Sequence, residues 1–137
     1  MINGIKAQEE IKAAFAGRTI KAVRAELGGT VLWFDFADGG GAMFRVGADC
    51  CSESWIEHIE VPADIDGAVF VGCSEGGEVD AGDDHGEHCP GPQEVTLVYS
   101  ASFATDRGHV VVEFRNTSNG YYGGEIGLVR VVPKVAP

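Results

Sequence analysis

The densest group of side chains that could do chemistry lies at residues 115–124 of this 137-residue chain, with the sequence R-N-T-S-N-G-Y-Y-G-G. An arginine can pair with phosphate or carboxylate, a tyrosine face can stack on a flat ring, and backbone amides beside glycine can bind an anion. Because the segment lies between two strand patterns, we expect a surface loop. It predicts a recognition loop, and the alternative is a long hairpin loop whose tyrosines cap the core. The side chains assigned to ligand binding are Arg115, Asn116, Ser118, Asn119, Tyr121 and Tyr122.

A second polar element, D-C-C-S at residues 49–52, contains two adjacent cysteines. If this element is extended, the two side chains point to opposite faces, so that one could be buried and the other exposed. A disulfide between neighbours would need a strained ring, and the four cysteines of a cytoplasmic chain are interpreted first as thiols. We expect Cys50, Cys51 and Ser52 to lie near the predicted ligand site.

The segment at residues 76–92 concentrates residue types that bind metals. His85, His88 and Cys89 could supply three zinc ligands, with a fourth from another cysteine. Their spacing lacks the paired C-x-x-C or H-x-x-x-H units of zinc fingers, and a solvated acidic loop explains the composition equally well. The sequence therefore predicts no metal and no other cofactor, and these three residues are the only metal-binding candidates.

The sequence contains no arrangement typical of an active site. Gly72–Gly76 matches the G-x-S-x-G pattern of hydrolases, but that pattern requires a helix after the serine. The following residues, G-G-E-V-D, are a poor helix start, and His58 and His109 cannot be paired with a carboxylate from sequence. We therefore expect a protein that is not an enzyme.

The charge of the chain limits its partners. It has 21 acidic and 10 basic residues and a formal net charge of −11, which argues against direct binding to nucleic acid. The acidic residues crowd together between Glu75 and Glu87, as in a solvated loop or in a surface that binds a basic partner. The first residues show no signal-peptide pattern, and no apolar run is long enough to span a membrane, so we expect a soluble, cytoplasmic protein.

The elements that must position these residues follow from hydrophobic patterning. The pattern predicts a short helix at residues 5–16, which Asn3 could cap at its start and Gly17 at its end. Ser52 is predicted to cap a second short helix that ends near Glu60. The strand predictions cover residues 19–27, 30–36, 42–46, 68–73, 93–105, 109–114 and 126–132. The predicted fold is α+β, a single domain over residues 1–137. Its parts are a mainly antiparallel β-sheet at about 19–132, a short N-terminal helix, one short internal helix and an acidic loop at about 76–92.

Two motifs resemble a known group of proteins. D-C-C-S-x-S-W at residues 49–55 and R-N-[ST]-S-N-G-Y-Y-G-G at residues 115–124 resemble a family of small uncharacterised domains that are common in bacteriophages and prophages. The resemblance covers about residues 19–131. It implies a phage or prophage source and supplies no activity or mechanism.

The leading hypothesis follows from this resemblance and from the residues at 115–124. It is a non-enzymatic phage or prophage accessory protein that binds a small anionic or nucleotide-like ligand, for example to sequester a host immune signal. The alternative is an acidic inhibitor that binds a basic host protein, such as a nucleic-acid-binding defence protein, and a second alternative is a metal-binding domain. An exposed edge strand could also pair two copies into a homo-oligomer.

Overall fold

The computed structural model describes residues 2–120 and 122–135, which form one helix and nine strands. The elements are α1 (Ile5–Phe15), β1 (Thr19–Ala25), β2 (Val31–Phe36), β3 (Gly41–Ala48), β4 (Glu53–Glu60), β5 (Ala68–Glu75), β6 (Val79–Asp80), β7 (Val95–Thr105), β8 (Gly108–Ser118) and β9 (Gly124–Val132). All strand pairs are antiparallel. The prediction of an α+β domain with a mainly antiparallel sheet is confirmed.

The strands form one sheet in the order β4-β8-β7-β5-β1-β2-β3-β9, and the short β6 pairs with β7. Only two residue pairs join β1 to β5, so the sheet has two halves that meet at a narrow seam. The halves face each other across one core. Phe103 of β7 lies 5.0 Å from Phe34 of β2 and 4.9 Å from Phe44 of β3 between ring centroids.

Helix α1 closes one end of this core. Its buried residues Ile11, Ala14 and Phe15 form the predicted apolar face, and Phe15 stacks on Phe70 of β5 at 4.2 Å. The helix ends as predicted before Gly17, which has a φ of 68°.

The predicted cap at the start of α1 is wrong. Gly4 occupies the cap position and provides no side-chain hydrogen bond. The Oδ1 atom of Asn3 instead accepts the N–H of Glu75 at 2.9 Å. Asn3 therefore links the N-terminal residues to β5 and does not cap the helix.

The predicted internal helix at residues 53–60 is also wrong, because this segment is strand β4. It pairs with β8 over the whole of its length, with a bulge between Ile56 and His58. Ile56 packs in the main core, while its neighbour Trp55 is buried on the opposite face. Burial of both faces removes the polar–apolar alternation by which a strand is recognised in a sequence.

Strand β8 is longer than its pattern predicted. It continues to Ser118, so the first four residues of the predicted loop at 115–124 are paired strand. Asn116, Thr117 and Ser118 are all buried despite their polarity. The segment at 76–92 is also more regular than predicted, since it contains β6.

Within residues 2–120 and 122–135 the only helix is α1, and it is too short to cross a lipid bilayer.

Candidate functional site

The acidic segment, residues 76–92, is anchored to the outer face of β4 through Glu57. The Oε1 atom of Glu57 accepts the indole N–H of Trp55 at 3.0 Å and the backbone N–H of His88 at 3.0 Å. Its Oε2 atom accepts the backbone N–H of Glu87 at 3.1 Å. These bonds place the segment over Trp55, which is fully buried.

The chain approaches Glu57 closely at Gly86. This glycine has a φ of 84°, and a Cβ atom added to it would lie 2.4 Å from Oε1 of Glu57. No side chain fits there without displacing the carboxylate, so the turn at residues 84–88 requires glycine at this position.

Further contacts hold the acidic segment at both ends. Near its start, the N–H of Ala81 donates to the carbonyl of Thr96 at 2.9 Å, and His85 Nδ1 lies 2.5 Å from Thr96 Oγ1. Just beyond its end, the N–H of Gln93 donates to Thr117 Oγ1 at 2.8 Å. Hydrogen bonds therefore tie this segment to the sheet at several points, while most of its residues remain exposed, as its composition suggests.

A cleft of about 500 Å³ lies between this segment and strands β4 and β8. Its charged and titratable lining residues are Glu57, Asp84, Glu87, Glu113, Arg115, His58 and His88. Four carboxylates therefore face one arginine.

Burial by itself raises the pKa of Glu57, but the hydrogen bonds from Trp55, His88 and Glu87 outweigh this effect and lower that pKa. The cleft therefore carries more acidic than basic side chains.

Arg115, the cation of the predicted ligand site, lies inside this cleft and is already paired. Its Nε donates to Glu113 Oε2 at 3.1 Å, and its Nη1 donates to the carbonyl of Asp84 at 3.0 Å. Its side chain is only 14% exposed. An anion that binds here would have to compete with the carboxylates around it.

The other residues assigned to ligand binding differ in exposure. Asn116 and Ser118 are buried in β8, Asn119 is exposed on the turn that follows, and Tyr122 is half-buried. Tyr121 lies outside the described residues. The ligand-binding role of this set stays a prediction.

The two sequence motifs do lie next to each other. The N–H of Asp49 donates to the carbonyl of Gly123 at 3.1 Å, and the N–H of Gly123 donates to Oδ2 of Asp49 at 3.2 Å. Nδ2 of Asn116 donates to Ser52 Oγ and to Ser54 Oγ, both at 3.1 Å. The motif residues therefore stabilise the junction of β3, β8 and β9.

The cysteines at this junction do not point to opposite faces. Residues 49–52 form a turn in which the N–H of Ser52 donates to the carbonyl of Asp49 at 3.1 Å. Cys51 has a φ of 68°, both cysteines are exposed, and the Sγ atoms of Cys50 and Cys51 are 3.0 Å apart.

The metal-binding candidates do not form a common site. Among the described residues, no three His, Cys, Asp or Glu side chains are close enough together to hold an ion. His85 contacts Thr96, His88 lies 3.9 Å from the carboxylate of Glu87, and burial raises the pKa of Cys89. Ser74 of the G-x-S-x-G pattern lies within β5.

Sequence reasoning missed a polar, aromatic surface on the outer face of the other half-sheet. Trp33 lies between Arg24 on β1 and Met43 on β3, and Met43 pairs with Arg130 on β9. The guanidinium of Arg24 is 5.2 Å from the Trp33 ring centroid and pairs with Asp35 at 2.7 Å. The alternation in V-L-W-F-D-F was a signal for this surface, because it places Trp33 and Asp35 opposite the buried phenylalanines.

A family model described as "Domain of unknown function (DUF7448)" matches residues 13–128. The chain belongs to this family. The family domain thus extends from the last turn of α1 into β9 and includes the acidic segment and both motifs. Its description states no activity and does not mention phages, so the phage resemblance stays a prediction. Comparisons with curated proteins and with solved structures found no match.

Proposed function

We propose that the protein is a non-enzymatic binding protein whose acidic segment binds a basic surface of a partner protein. The observation that carries this proposal is the anchoring of the acidic segment on Glu57 and Trp55. A segment with this composition would ordinarily be a mobile, solvated loop. Here its backbone is held before any partner arrives, which lowers the entropy lost on binding.

The charges on this surface are available to a partner. The side chains of Asp84 and Glu87 are 77% and 91% exposed, and Asp83 is exposed beside them. The Asp84 carboxylate lies 3.8 Å from Arg115, a distance at which the pair is weak. Lysine or arginine side chains of a partner could therefore reach three carboxylates on one turn and enter the cleft beside them.

The same charges disfavour a small anion at Arg115. Glu113 and Asp84 already occupy its guanidinium, and Glu57 and Glu87 line the same cleft. The geometry therefore supports the acidic-inhibitor alternative better than the leading hypothesis from sequence. If the phage resemblance holds, the partner is a host protein in the cytoplasm.

A short synthetic peptide of lysine and arginine residues can test this proposal. We expect the peptide to shift the amide NMR signals of residues 82–88 and of the facing parts of β4 and β8. The triple variant Asp83→Asn, Asp84→Asn, Glu87→Gln should bind at least several-fold more weakly at low salt.

A charge-matched control distinguishes this surface from net charge. The variant Glu9→Gln, Glu10→Gln, Asp66→Asn also removes three negative charges, but from exposed positions on α1 and on the β4–β5 connection. It should bind the peptide as the unmodified protein does. Equal weakening in both triple variants would show that the peptide responds only to total charge.

A second candidate function is binding of a small anionic ligand with a flat ring, at the outer face around Trp33. Arg24, Arg45 and Arg130 all lie on this face, although the chain has only 10 basic residues. A hollow of about 450 Å³ beside Trp33 is lined mostly by apolar groups, including Met43. Stacking on the indole and pairing with exposed arginines are the contacts that a nucleotide-like ligand requires.

A thermal-shift screen against nucleotides and cyclic nucleotides tests this second candidate, because a ligand that binds only the folded protein raises its melting temperature. If Trp33→Ala and Arg130→Ala abolish the shift in melting temperature, the ligand binds on the outer face. If Arg115→Ala and Tyr122→Ala abolish it, the ligand binds at the site predicted from sequence. The absence of any shift would rule out both ligand sites for the compounds tested.

A further inference from the structure

Two adjacent thiols are held together on the turn between β3 and β4. Both cysteines are exposed, and their Sγ atoms are 3.0 Å apart. The bond length of a disulfide is about 2.05 Å, so a movement of about 1 Å would join them. The pair lies outside the acidic segment and outside the Trp33 surface.

The backbone at this turn is unusual. Among the described residues, Cys51 is the only one other than glycine with a positive φ, at 68°. Glycine or asparagine would adopt this conformation at lower energetic cost. The conformational cost of a cysteine at this position and the nearby thiol of Cys50 together motivate the hypothesis of a chemical role for the pair.

We propose that Cys50 and Cys51 form a reversible modification site, at which a small disulfide of the glutathione type oxidises the two thiols to a disulfide between neighbours. The hydrogen bond between the two thiols raises the pKa of Cys50. In the proposed order, the thiolate of Cys51 attacks the small disulfide, forms a mixed disulfide and releases one small thiol. Cys50 then loses its proton, attacks the Cys51 sulfur and releases the second small thiol. Two protein thiols are oxidised, and one small disulfide is reduced to two thiols.

The ring that results is readily reversed. Neighbouring Cα atoms are about 3.8 Å apart, which is shorter than the separation of about 4.4–6.8 Å in ordinary disulfides. Such strain makes a disulfide easier to reduce, so an excess of small thiol should restore both cysteines.

The other two cysteines provide an internal reference. Cys73 and Cys89 are both partly buried, and burial raises the pKa of each. Cys73 also contacts the side-chain amide of Gln8 at 3.5 Å. Both should react more slowly than the exposed pair.

Oxidation at this turn would reach the end of the acidic segment. The carbonyl of Cys51 accepts Nε2 of Gln93 at 3.2 Å, and Asp49 is hydrogen-bonded to Gly123. Closing the ring moves the peptide between the two cysteines, so these contacts should loosen. Faster hydrogen exchange at Gly123 in the oxidised protein would report this change.

The test is peptide mass spectrometry after incubation with oxidised glutathione. We expect the peptide that contains both cysteines to lose two hydrogens, and reduced glutathione in excess to restore them. Cys50→Ser should stop at the mixed disulfide on Cys51, and the double variant Cys73→Ser, Cys89→Ser should behave like the unmodified protein.

Two results would overturn the proposal. In the first, the unmodified protein keeps a mixed disulfide on Cys50 or Cys51, and the peptide that contains both cysteines never loses two hydrogens. The other is covalent dimerisation through these cysteines in place of ring closure.

Discussion

At the scale of single residues, Glu57 joins the acidic segment to strand β4. It is 8% exposed, and an ionised carboxylate at such a position is costly unless hydrogen bonds satisfy it. Three N–H groups do so, and two of them belong to the backbone of the acidic segment. The same bonds therefore stabilise the charge of Glu57 and the position of the segment.

Replacing Glu57 with glutamine should release the segment. The substitution removes the charge and leaves one oxygen where two had accepted N–H groups, which should cost about 1–3 kcal/mol of unfolding free energy. Denaturant unfolding measures this loss, and hydrogen exchange at the amides of Glu87 and His88 should become faster. Glu60→Gln, an exposed change on the same strand, is the control and should alter neither measurement. Unchanged exchange in Glu57→Gln would show that the carboxylate does not hold the segment.

Acid should have a related effect, and its sign follows from the lowered pKa of Glu57. A carboxyl group whose pKa is lower in the folded state than in the unfolded state stabilises the fold. This contribution is fully present above the unfolded-state pKa of about 4.3, and it is lost as the pH falls through the folded-state pKa. Trp33→Phe leaves Trp55 as the only tryptophan, so its fluorescence reports the contact. We expect emission to shift to longer wavelength below about pH 4, as Trp55 becomes exposed. The same transition in a variant that also carries Glu57→Gln would mean that another group titrates.

At the scale of elements, the sequence predicted strands that bury one face and failed where both faces are covered. Strand β7 alternates between buried and partly buried residues from Tyr99 to Thr105, and its extent agrees closely with the predicted 93–105. Strand β4 does not alternate, because the acidic segment buries Trp55 and Glu57 on its outer side. Contacts between β4 and a segment some thirty residues away are not visible in a local pattern.

The end of β8 shows the same difficulty with polar residues. Asn116, Thr117 and Ser118 have the composition of a loop, yet they are buried strand residues. Nδ2 of Asn116 has two serine partners, and Thr117 accepts the amide of Gln93. The sequence indicated which residues carry charge and hydrogen-bonding groups, but it did not indicate which of them hold each other in place.

The turn that contacts Glu57 can be tested with a pair of glycine variants. Gly86→Ala and Gly82→Ala both place a side chain at positive φ, which costs about 1–2 kcal/mol in each case. Only Gly86→Ala also meets the Glu57 carboxylate, so it should be less stable than Gly82→Ala by a further 1–3 kcal/mol or so. Urea unfolding of both variants measures the difference, and equal midpoints would contradict the close approach at Gly86.

At the scale of the whole molecule, charge is distributed unevenly over the surface. The acidic segment and its cleft lie on the half-sheet of β4, β8 and β7, while Arg24, Arg45 and Arg130 lie on the outer face of the other half. A net charge of −11 describes neither region well. A basic partner should approach the acidic side, and its association rate should fall as salt screens the attraction.

We expect the acidic segment to bind as a fixed surface and not merely as a collection of charges. The most direct test is calorimetric titration of the lysine- and arginine-rich peptide into the unmodified protein, Gly82→Ala and Gly86→Ala at low salt. All three have the same charge, but only Gly86→Ala disturbs the contact with Glu57. We expect Gly82→Ala to bind like the unmodified protein and Gly86→Ala to bind several-fold more weakly. Equal affinity in all three proteins would contradict the account, because binding would then depend on charge alone.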